Sequence, residues 1–387
     1  MTRRNYEGVV VTAPVTVPYQ RFSDESAQWW VGRALAGLVD ASGLSHRDFD
    51  GFMVSSFSTA PDSAIALTQH FGLSPRMVDF LPTGGASGIM SLRRAARAVQ
   101  AGDCDVVACI GADTNTPNSF RKVLEKFSRF SQDAVYPYGT GGPNVSFALI
   151  ARAYMDQTGA SREDFGRIAV AQRENARNNP NALLSKPLTL DDYMAARPIA
   201  PPIHLFDCVM PCAGAEAFLV MREADARAQR LPFANICATI ERHNAFAQDP
   251  VMLRGGWAQD AEELWSMAGM RPSDMNLVQT YDDYPFISMM QLEDLGFCAK
   301  GSGAEFLRNL DLTVKGDLPH NTSGGQLSVG QAGCAGGYLG LVEALRQVTD
   351  RADQTQVEGA RRALVSGFGM INFDRGLASA AVVLEGA

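Results

Sequence analysis

Three observations predict a duplicated α/β fold. The chain has 387 residues, beyond the size at which one hydrophobic core stops growing, so two core-sharing halves are expected. Strand-length apolar runs alternate with stretches whose apolar residues recur at helical spacing. A unit of short strand, glycine-rich turn and helix occurs near residue 80 and again near residue 320.

Taken in order, Tyr6–Ala13 reads as the first strand. Within Ser26–Ala41, Trp30, Ala34 and Leu38 recur at helical spacing with Val31 and Leu35 beside them, which predicts an amphipathic helix. Gly51–Phe57 is a second strand. Pro61 suits the first turn of the next helix, where its missing N–H leaves no internal bond unmade. Met77–Leu81 is a short strand that runs through PTGGASG into a helix ending near Ala101. Ile89, Leu92, Ala96 and Val99 share one face of that helix, and Gly102 turns the chain into a strand at Asp105–Gly111. Parallel strands joined through a helix need this right-handed crossover.

Residues 112–205 interrupt the first half. They carry YPYGTGGPN, a helix through Ala151–Gln157 and several proline-containing turns, a makeup suited to covering a pocket. Phe218–Met221 returns the chain to the sheet, and a boundary near residue 230 gives halves of residues 1–230 and 231–387. In the second half Leu277–Tyr281 is strand-like, and NTSGGQLSVGQAGCAGG leads into a helix with Leu341, Leu345 and Val348 on its apolar face. Ala363–Ser366 then enters a glycine-rich turn, and Ala380–Leu384 is the last strand. A repeat this long marks duplication; solenoid repeats are only tens of residues long.

Composition narrows the function classes. The formal net charge is -8, from 34 basic and 42 acidic side chains, which disfavours broad binding to a phosphate backbone, so no nucleic-acid partner is expected. No segment reaches the ~20 uninterrupted apolar residues that span a bilayer. The opening MTRRNYEGVVVTAPV has only a strand-length apolar run, unlike a signal peptide, and a cytoplasmic location is the expectation. Seven scattered cysteines imply no disulfide framework. Cys208 and Cys212 lack the further ligands of a zinc pattern, so no metal site is expected. Neither GxGxxG nor GxxxxGK[ST] occurs in a strand-to-helix setting, and HExxH is absent.

In combination, GGASG, YDDYP and NTSGGQLSVGQAGCAGG resemble the thiolase superfamily, especially its sterol-carrier-protein-type branch, and YPFISMMQLEDLGFCAKG strengthens the match. The resemblance spans essentially the whole chain. It implies two pseudo-equivalent mixed-sheet halves in a layered α-β-α-β-α arrangement, a homodimer and an acyl-CoA substrate. CoA would arrive as part of that substrate, with no covalently bound cofactor.

Four departures bear on activity. Where the family has a nucleophilic cysteine before A-S-G, this chain has Gly85, Ala86, Ser87 and Gly88, and glycine cannot form an acyl-enzyme. The family's Gly-His-Pro aligns with Gly330, Gln331 and Ala332, and glutamine cannot act as a general base near neutral pH. The later cysteine position corresponds approximately to Val365. His-Asp-Cys-Phe is replaced by Tyr281, Asp282, Asp283 and Tyr284.

The branch includes proteins similar to steroid side-chain retro-aldolases, which cleave a β-hydroxyacyl-CoA with tyrosines in place of a thiolate. On these residues the working hypothesis is that Tyr281 removes the β-hydroxyl proton, directly or through Asp282 or water, and that Tyr338 protonates or orients the enolate carbon. A sheet-edge hydrogen bond for Tyr281, packing for Tyr338 and a solvated acidic turn at Asp282 and Asp283, either of which becomes a relay if buried, stand as alternatives. Gln331 and backbone N–H groups near Gly85 and Gly369 would face the thioester oxygen, where negative charge develops. Arg121 and Lys122, with Lys126 and Arg129, form a basic cluster able to approach CoA phosphates or to lie solvated. Tyr284 is expected to shape the pocket and Ser87 to cap its helix. His243 is either a visitor from the other half or a loop residue, and Cys334 is expected to pack at a helix start. An acyltransferase with atypical residues and a silent acyl-CoA-binding or scaffold subunit stand as alternatives. The branch often works with a small zinc-containing OB-fold partner, so such a partner is also an expectation.

Overall fold

The computed structural model describes residues 5–119, 137 and 142–387. Its strands are β1 (Val9–Gln20), β2 (Gly51–Ser55), β3 (Met77–Phe80), β4 (Val106–Asp113), β5 (Pro198–Ala200), β6 (Ile203–His204), β7 (Ala213–Arg222), β8 (Phe233–His243), β9 (Leu277–Gln279), β10 (Arg362–Ile371) and β11 (Gly376–Gly386). Nine of them pair in the order β3-β2-β4-β7-β1-β8-β11-β10-β9, and β5 and β6 form a separate ribbon.

The duplication is written in that order. Read outward from the centre, β1-β7-β4-β2 is matched by β8-β11-β10-β9. Corresponding pairs run in the same sense: β2–β4 and β9–β10 are parallel, while β4–β7 and β10–β11 are antiparallel. Beyond β9 the place of β3 is kept only by an isolated parallel bridge between Val278 and His320. The halves join where Val10, Val11 and Thr12 of β1 pair with Asn235, Ala234 and Phe233 of β8.

The principal helices are α1 (Ala27–Ser42), α2 (Ala64–Phe71), α3 (Ser87–Ala101), α4 (Pro143–Thr158), α5 (Arg162–Ala176), α6 (Trp257–Ala268), α7 (Pro285–Asp294), α8 (Gly325–Val329) and α9 (Gly336–Val348). Their apolar faces define the layers. α1 buries Trp30, Val31 and Leu38 with Phe52 and Ile110 on one outer face. α6 buries Trp257 and Leu264 with Ala381 and Val383 on the other. Between the sheet halves, Ile89, Leu92 and Val99 of α3 meet Leu341, Leu345 and Val348 of α9. The α-β-α-β-α arrangement is thus present, and burial of these stripes drives it.

Glycine sets how closely the central helices approach. A Cβ on Gly88 would stand 2.3 Å from the Gly337 carbonyl oxygen, and one on Gly337 would stand 2.5 Å from that of Gly84. The two glycine motifs therefore bring the starts of α3 and α9 together, where the site forms.

Several local expectations are corrected. β1 extends beyond Ala13 to Gln20, passing Pro14 and Pro18 through two register irregularities; proline cannot donate to a ladder, and bulges accommodate it. β10 continues through the supposed glycine turn, with Gly367 paired to Ala380 and Gly369 to Ala378. Glycine serves a close approach there, because a Cβ on Gly369 would lie 2.0 Å from the Thr83 oxygen. Pro61 precedes α2, which begins at Ala64. Ser87 is the first residue of α3 and does not cap it: its Oγ accepts from Thr83 N (3.0 Å) and donates to the Leu81 oxygen (3.1 Å), tying the preceding loop down. Among the described residues, no helix is long and apolar enough to cross a membrane.

Candidate active site

The starts of the central helices, the ends of β4, β9 and β10, the first turn of α4 and the segment ending at Cys212 surround a cleft of about 220 Å³. Phe57, Phe147, Val209, Phe368, Met370 and Ile371 give it apolar walls, and Tyr281, Asp283, Tyr284 and Gln331 stand among its polar groups. Among the described residues, no lysine, arginine or histidine lines it.

Tyr281 occupies the corner opposite Gly85. A Cβ built on Gly85 would fall 2.1 Å from both Cε2 and Cζ of the Tyr281 ring and 2.3 Å from the Phe368 oxygen. The phenol therefore fills the space into which a side chain at position 85 would project. Its backbone is clamped by Gln291 of α7, whose Oε1 accepts from Tyr281 N (3.1 Å) and whose Nε2 donates to the Tyr281 oxygen (2.7 Å). Ser366 of β10 donates to the same Oε1 at 2.7 Å. Gln291 lies within the stretch that supports the family resemblance, but only its spatial return to Tyr281 reveals its role.

Gln331 links the phenol to a carboxylate. Its Nε2 donates to the Tyr281 hydroxyl at 2.9 Å and to Asp283 Oδ1 at 2.6 Å, which uses both amide hydrogens. In this arrangement the amide holds Tyr281 and Asp283 together. Gln331 is itself fixed through its backbone, which donates to Met210 O (2.8 Å) and accepts from Cys212 N (3.0 Å).

The two aspartates divide. Asp282 points away from the cleft and accepts from Gln326 N (3.0 Å) and Leu327 N (3.1 Å) at the start of α8. Burial raises its pKa to about 6 against those hydrogen bonds. This corrects its expected place as the relay, because its oxygens are spent on backbone donors. Asp283 faces the cleft instead. Burial pushes its pKa up to about 7, with the Tyr281 phenol opposing and the Asp282 charge adding to the rise. Tyr281 itself is raised well above 10, first by burial and then by the charge of Asp283.

Tyr338 is not brought to this cleft. Its position in the first turn of α9 sends the ring inward, beside Phe218 at 5.5 Å and over Gly111. The hydroxyl donates to Ser91 Oγ (2.7 Å) and shares a 3.0 Å hydrogen bond with Ser55 Oγ. Of the two readings of Tyr338, these contacts support packing: it pins α3, α9 and β2 together. Tyr284 does line the cleft, with its hydroxyl donating to Asn144 Oδ1 and its ring 4.2 Å from that of Phe147.

Gly85 and Gly369 both border the cleft. Arg121 and Lys122 lie outside the described residues, as do Lys126 and Arg129. His243 ends β8, is exposed, bonds Glu241 at 2.9 Å and is not one of the residues lining the cleft. Cys334 is buried just before α9, and its N–H donates to Asp113 Oδ2 at 2.7 Å. Asp113, unnoticed in the sequence, also receives Ser56 Oγ, Phe57 N and Ser58 N on its other oxygen, each at 2.8 Å. It ties residues 56–58 to the turn before α9.

The Thiolase C-terminal domain-like family model matches residues 238–383. The chain is 32% identical over 334 residues to a steroid side-chain-cleaving aldolase of Thermomonospora curvata, covering 81% of this chain and 83% of that protein. These matches and the doubled fold have one reading: the chain belongs to the thiolase superfamily. Within it, the chain is 30% identical over 366 residues to the 17-hydroxy-3-oxo-4-pregnene-20-carboxyl-CoA lyase of Mycobacterium tuberculosis, covering 89% and 93% of the two chains. Among solved structures, an Ltp2-ChsH2(DUF35) aldolase superposes with a TM-score of 0.83 at 27% identity over 98% of each chain.

Proposed function

We propose that this chain is a CoA-linked aldolase that cleaves the Cα–Cβ bond of a β-hydroxyacyl-CoA without an acyl-enzyme. The observation that carries the proposal is the Tyr281 ring in the space a side chain at position 85 would need. A nucleophile is replaced there by a proton-handling group. The reaction needs the β-hydroxyl proton removed, the bond's electrons accepted by the thioester and a proton delivered to Cα. Tyr281 meets the β-hydroxyl in this reading, and backbone N–H groups near Gly85 and Gly369 face the thioester oxygen. The aromatic walls of the cleft receive the acyl group.

Acyl transfer finds less support in the same walls. Cys208 and Cys212 reach the cleft, but burial pushes the Cys208 thiol up to about 12 and the Cys212 thiol higher. A thiolate nucleophile needs the opposite shift.

A partner subunit belongs to the proposal, because the solved aldolase with which the chain superposes is a complex. A small zinc-containing OB-fold partner, a homodimeric arrangement, cytoplasmic residence and contact of Arg121 and Lys122 with CoA phosphates are its finer parts. The test is product analysis with and without co-purified partner, and with no free CoA added. The expected result is a carbonyl fragment and a shortened acyl-CoA in equal amounts. Cleavage that requires free CoA and gives two acyl products refutes the proposal. Acyl-CoA binding without turnover in either sample makes the chain a silent subunit.

A further inference from the structure

Tyr281 cannot by itself be the base. Burial holds its phenol proton more tightly than usual, so removing the substrate's proton requires somewhere for the phenol proton to go. Among the described residues, the titratable side chains on the cleft wall are Asp113, Cys208, Cys212, Tyr281, Asp283 and Tyr284. Asp113 is engaged elsewhere: its Oδ1 accepts from Ser56 Oγ, Phe57 N and Ser58 N and its Oδ2 from Cys334 N, and none of these donors is Tyr281 or Gln331. The two thiols are held protonated by burial. Tyr284 has given its hydroxyl hydrogen to Asn144. Asp283 is the carboxylate that remains, joined to Tyr281 through one shared donor, the Gln331 amide.

We infer that Asp283 is the proton store of the reaction: it takes the Tyr281 phenol proton while Tyr281 takes the substrate's β-hydroxyl proton. This rests on the aldolase reading and names the residue that makes it chemically complete. The step balances. The O–H bond of the β-hydroxyl breaks as the new Tyr281 O–H forms, and the old phenol proton moves to Asp283. The Cα–Cβ bond breaks, its electron pair passing to Cα and the thioester oxygen as an enolate while the β-carbon becomes a carbonyl. After the carbonyl fragment leaves, Asp283 returns its proton through Tyr281 to Cα. The products contain the atoms of the substrate, and the carboxylate is restored without any co-reactant.

Gln331 makes this exchange possible by geometry. By donating to both Tyr281 and Asp283 it fixes the phenol oxygen beside the carboxylate and leaves the phenol hydrogen free to point at Asp283. The groups around Asp283 set its working range. Tyr281, Asp282 and Tyr284 belong to its own loop, Cys208 approaches from the segment before β7, and Asp113 at the end of β4 also lines the cleft. Burial raises the Asp283 carboxyl to about 7, with the hydrogen bond to Tyr281 opposing and the Asp282 charge adding to the rise. As Asp283 acts through Tyr281, it is a positioning and proton-holding residue, and its signature is a pH profile.

The experiment measures carbonyl release against pH for the wild-type chain, Asp283→Asn and Asp283→Glu, each with its native partner present. The wild type should lose activity as pH falls below about 7, following a single ionisation. Asp283→Asn should lower kcat by about 100-fold or more, the usual worth of a proton-transfer group, leave KM within a few-fold, and remove that inflection. Asp283→Glu should restore part of the rate together with a carboxylate inflection. Asp283→Asn with near-wild-type kcat and an unchanged inflection overturns the assignment while leaving the aldolase reading intact. If the wild type releases no carbonyl fragment at any pH, both fall together. If Asp283→Asn does not fold, a rate for Asp283→Glu that is flat across the same pH range overturns the inference.

Discussion

Gly85→Ala is the smallest change that disturbs the proposed chemistry. The added methyl would stand 2.1 Å from two ring carbons of Tyr281, whereas ordinary contact begins near 3.4 Å. The ring must move by more than an ångström, since the Phe368 carbonyl oxygen, 2.3 Å from the same methyl, belongs to the backbone of β10 and cannot easily give way. Such a displacement breaks the 2.9 Å link to Gln331 and separates the phenol from Asp283. Overpacking of this kind costs about 1–3 kcal/mol, which for an unfolding entropy of about 2.1 cal/mol/K per residue lowers Tm by roughly 1–4 °C in a chain of this length. Misplacing a reacting group by about 1 Å costs on the order of 100-fold in rate. The assay is carbonyl release under saturating substrate beside a thermal melt. Gly85→Cys should behave the same way and gain no thiolysis. A Gly85→Ala protein with wild-type rate and Tm would refute the claim that Tyr281 needs this corner empty.

Three further substitutions separate chemistry from architecture. Tyr281→Phe keeps the ring and loses one hydrogen bond from Gln331, so Tm should change little while carbonyl release falls about 100-fold or more; titration with an acyl-CoA analogue checks that binding survives. Tyr338→Phe should do the reverse, costing about 1–2 kcal/mol in denaturant unfolding because Ser91 and Ser55 lose a buried partner, with kcat nearly unchanged. Glu216→Gln tests linkage: burial raises Glu216 from 4.5 to about 8, so its stabilising contribution is full below pH 4.5 and lost as pH rises through about 8. Melts from pH 5 to 9 should show the wild type losing more stability than Glu216→Gln, by on the order of a few kcal/mol.

The sequence carried the layout better than the aim of each side chain. α3 and α9 could be read from their apolar stripes, and the glycine motifs before them signalled the doubled unit. β8 drew no expectation, and the glycines of β10 suggested a turn, because their meaning lies in distant partners: β11 alongside and Thr83 across the layer. The loop from Tyr281 to Tyr284 was found by motif, but adjacent residues in it face different ways. Asp282 turns to the start of α8 while Asp283 enters the cleft, a choice made by backbone donors more than forty residues onward. For Tyr338 the sequence leaves packing and chemistry both open for the same reason. It sits in the right motif, yet its helical position points it at α3 and β2. Gly85 was legible as an absence, and the structure shows what fills it.

The most direct measurement is the intact mass of the chain, acid-quenched during turnover of a β-hydroxyacyl-CoA with its partner present. With a phenol where the nucleophile would stand, the mass should stay that of the unmodified polypeptide while the carbonyl fragment and shortened acyl-CoA accumulate together. A population heavier by the acyl group, formed and discharged at the rate of product release, would contradict this mechanism.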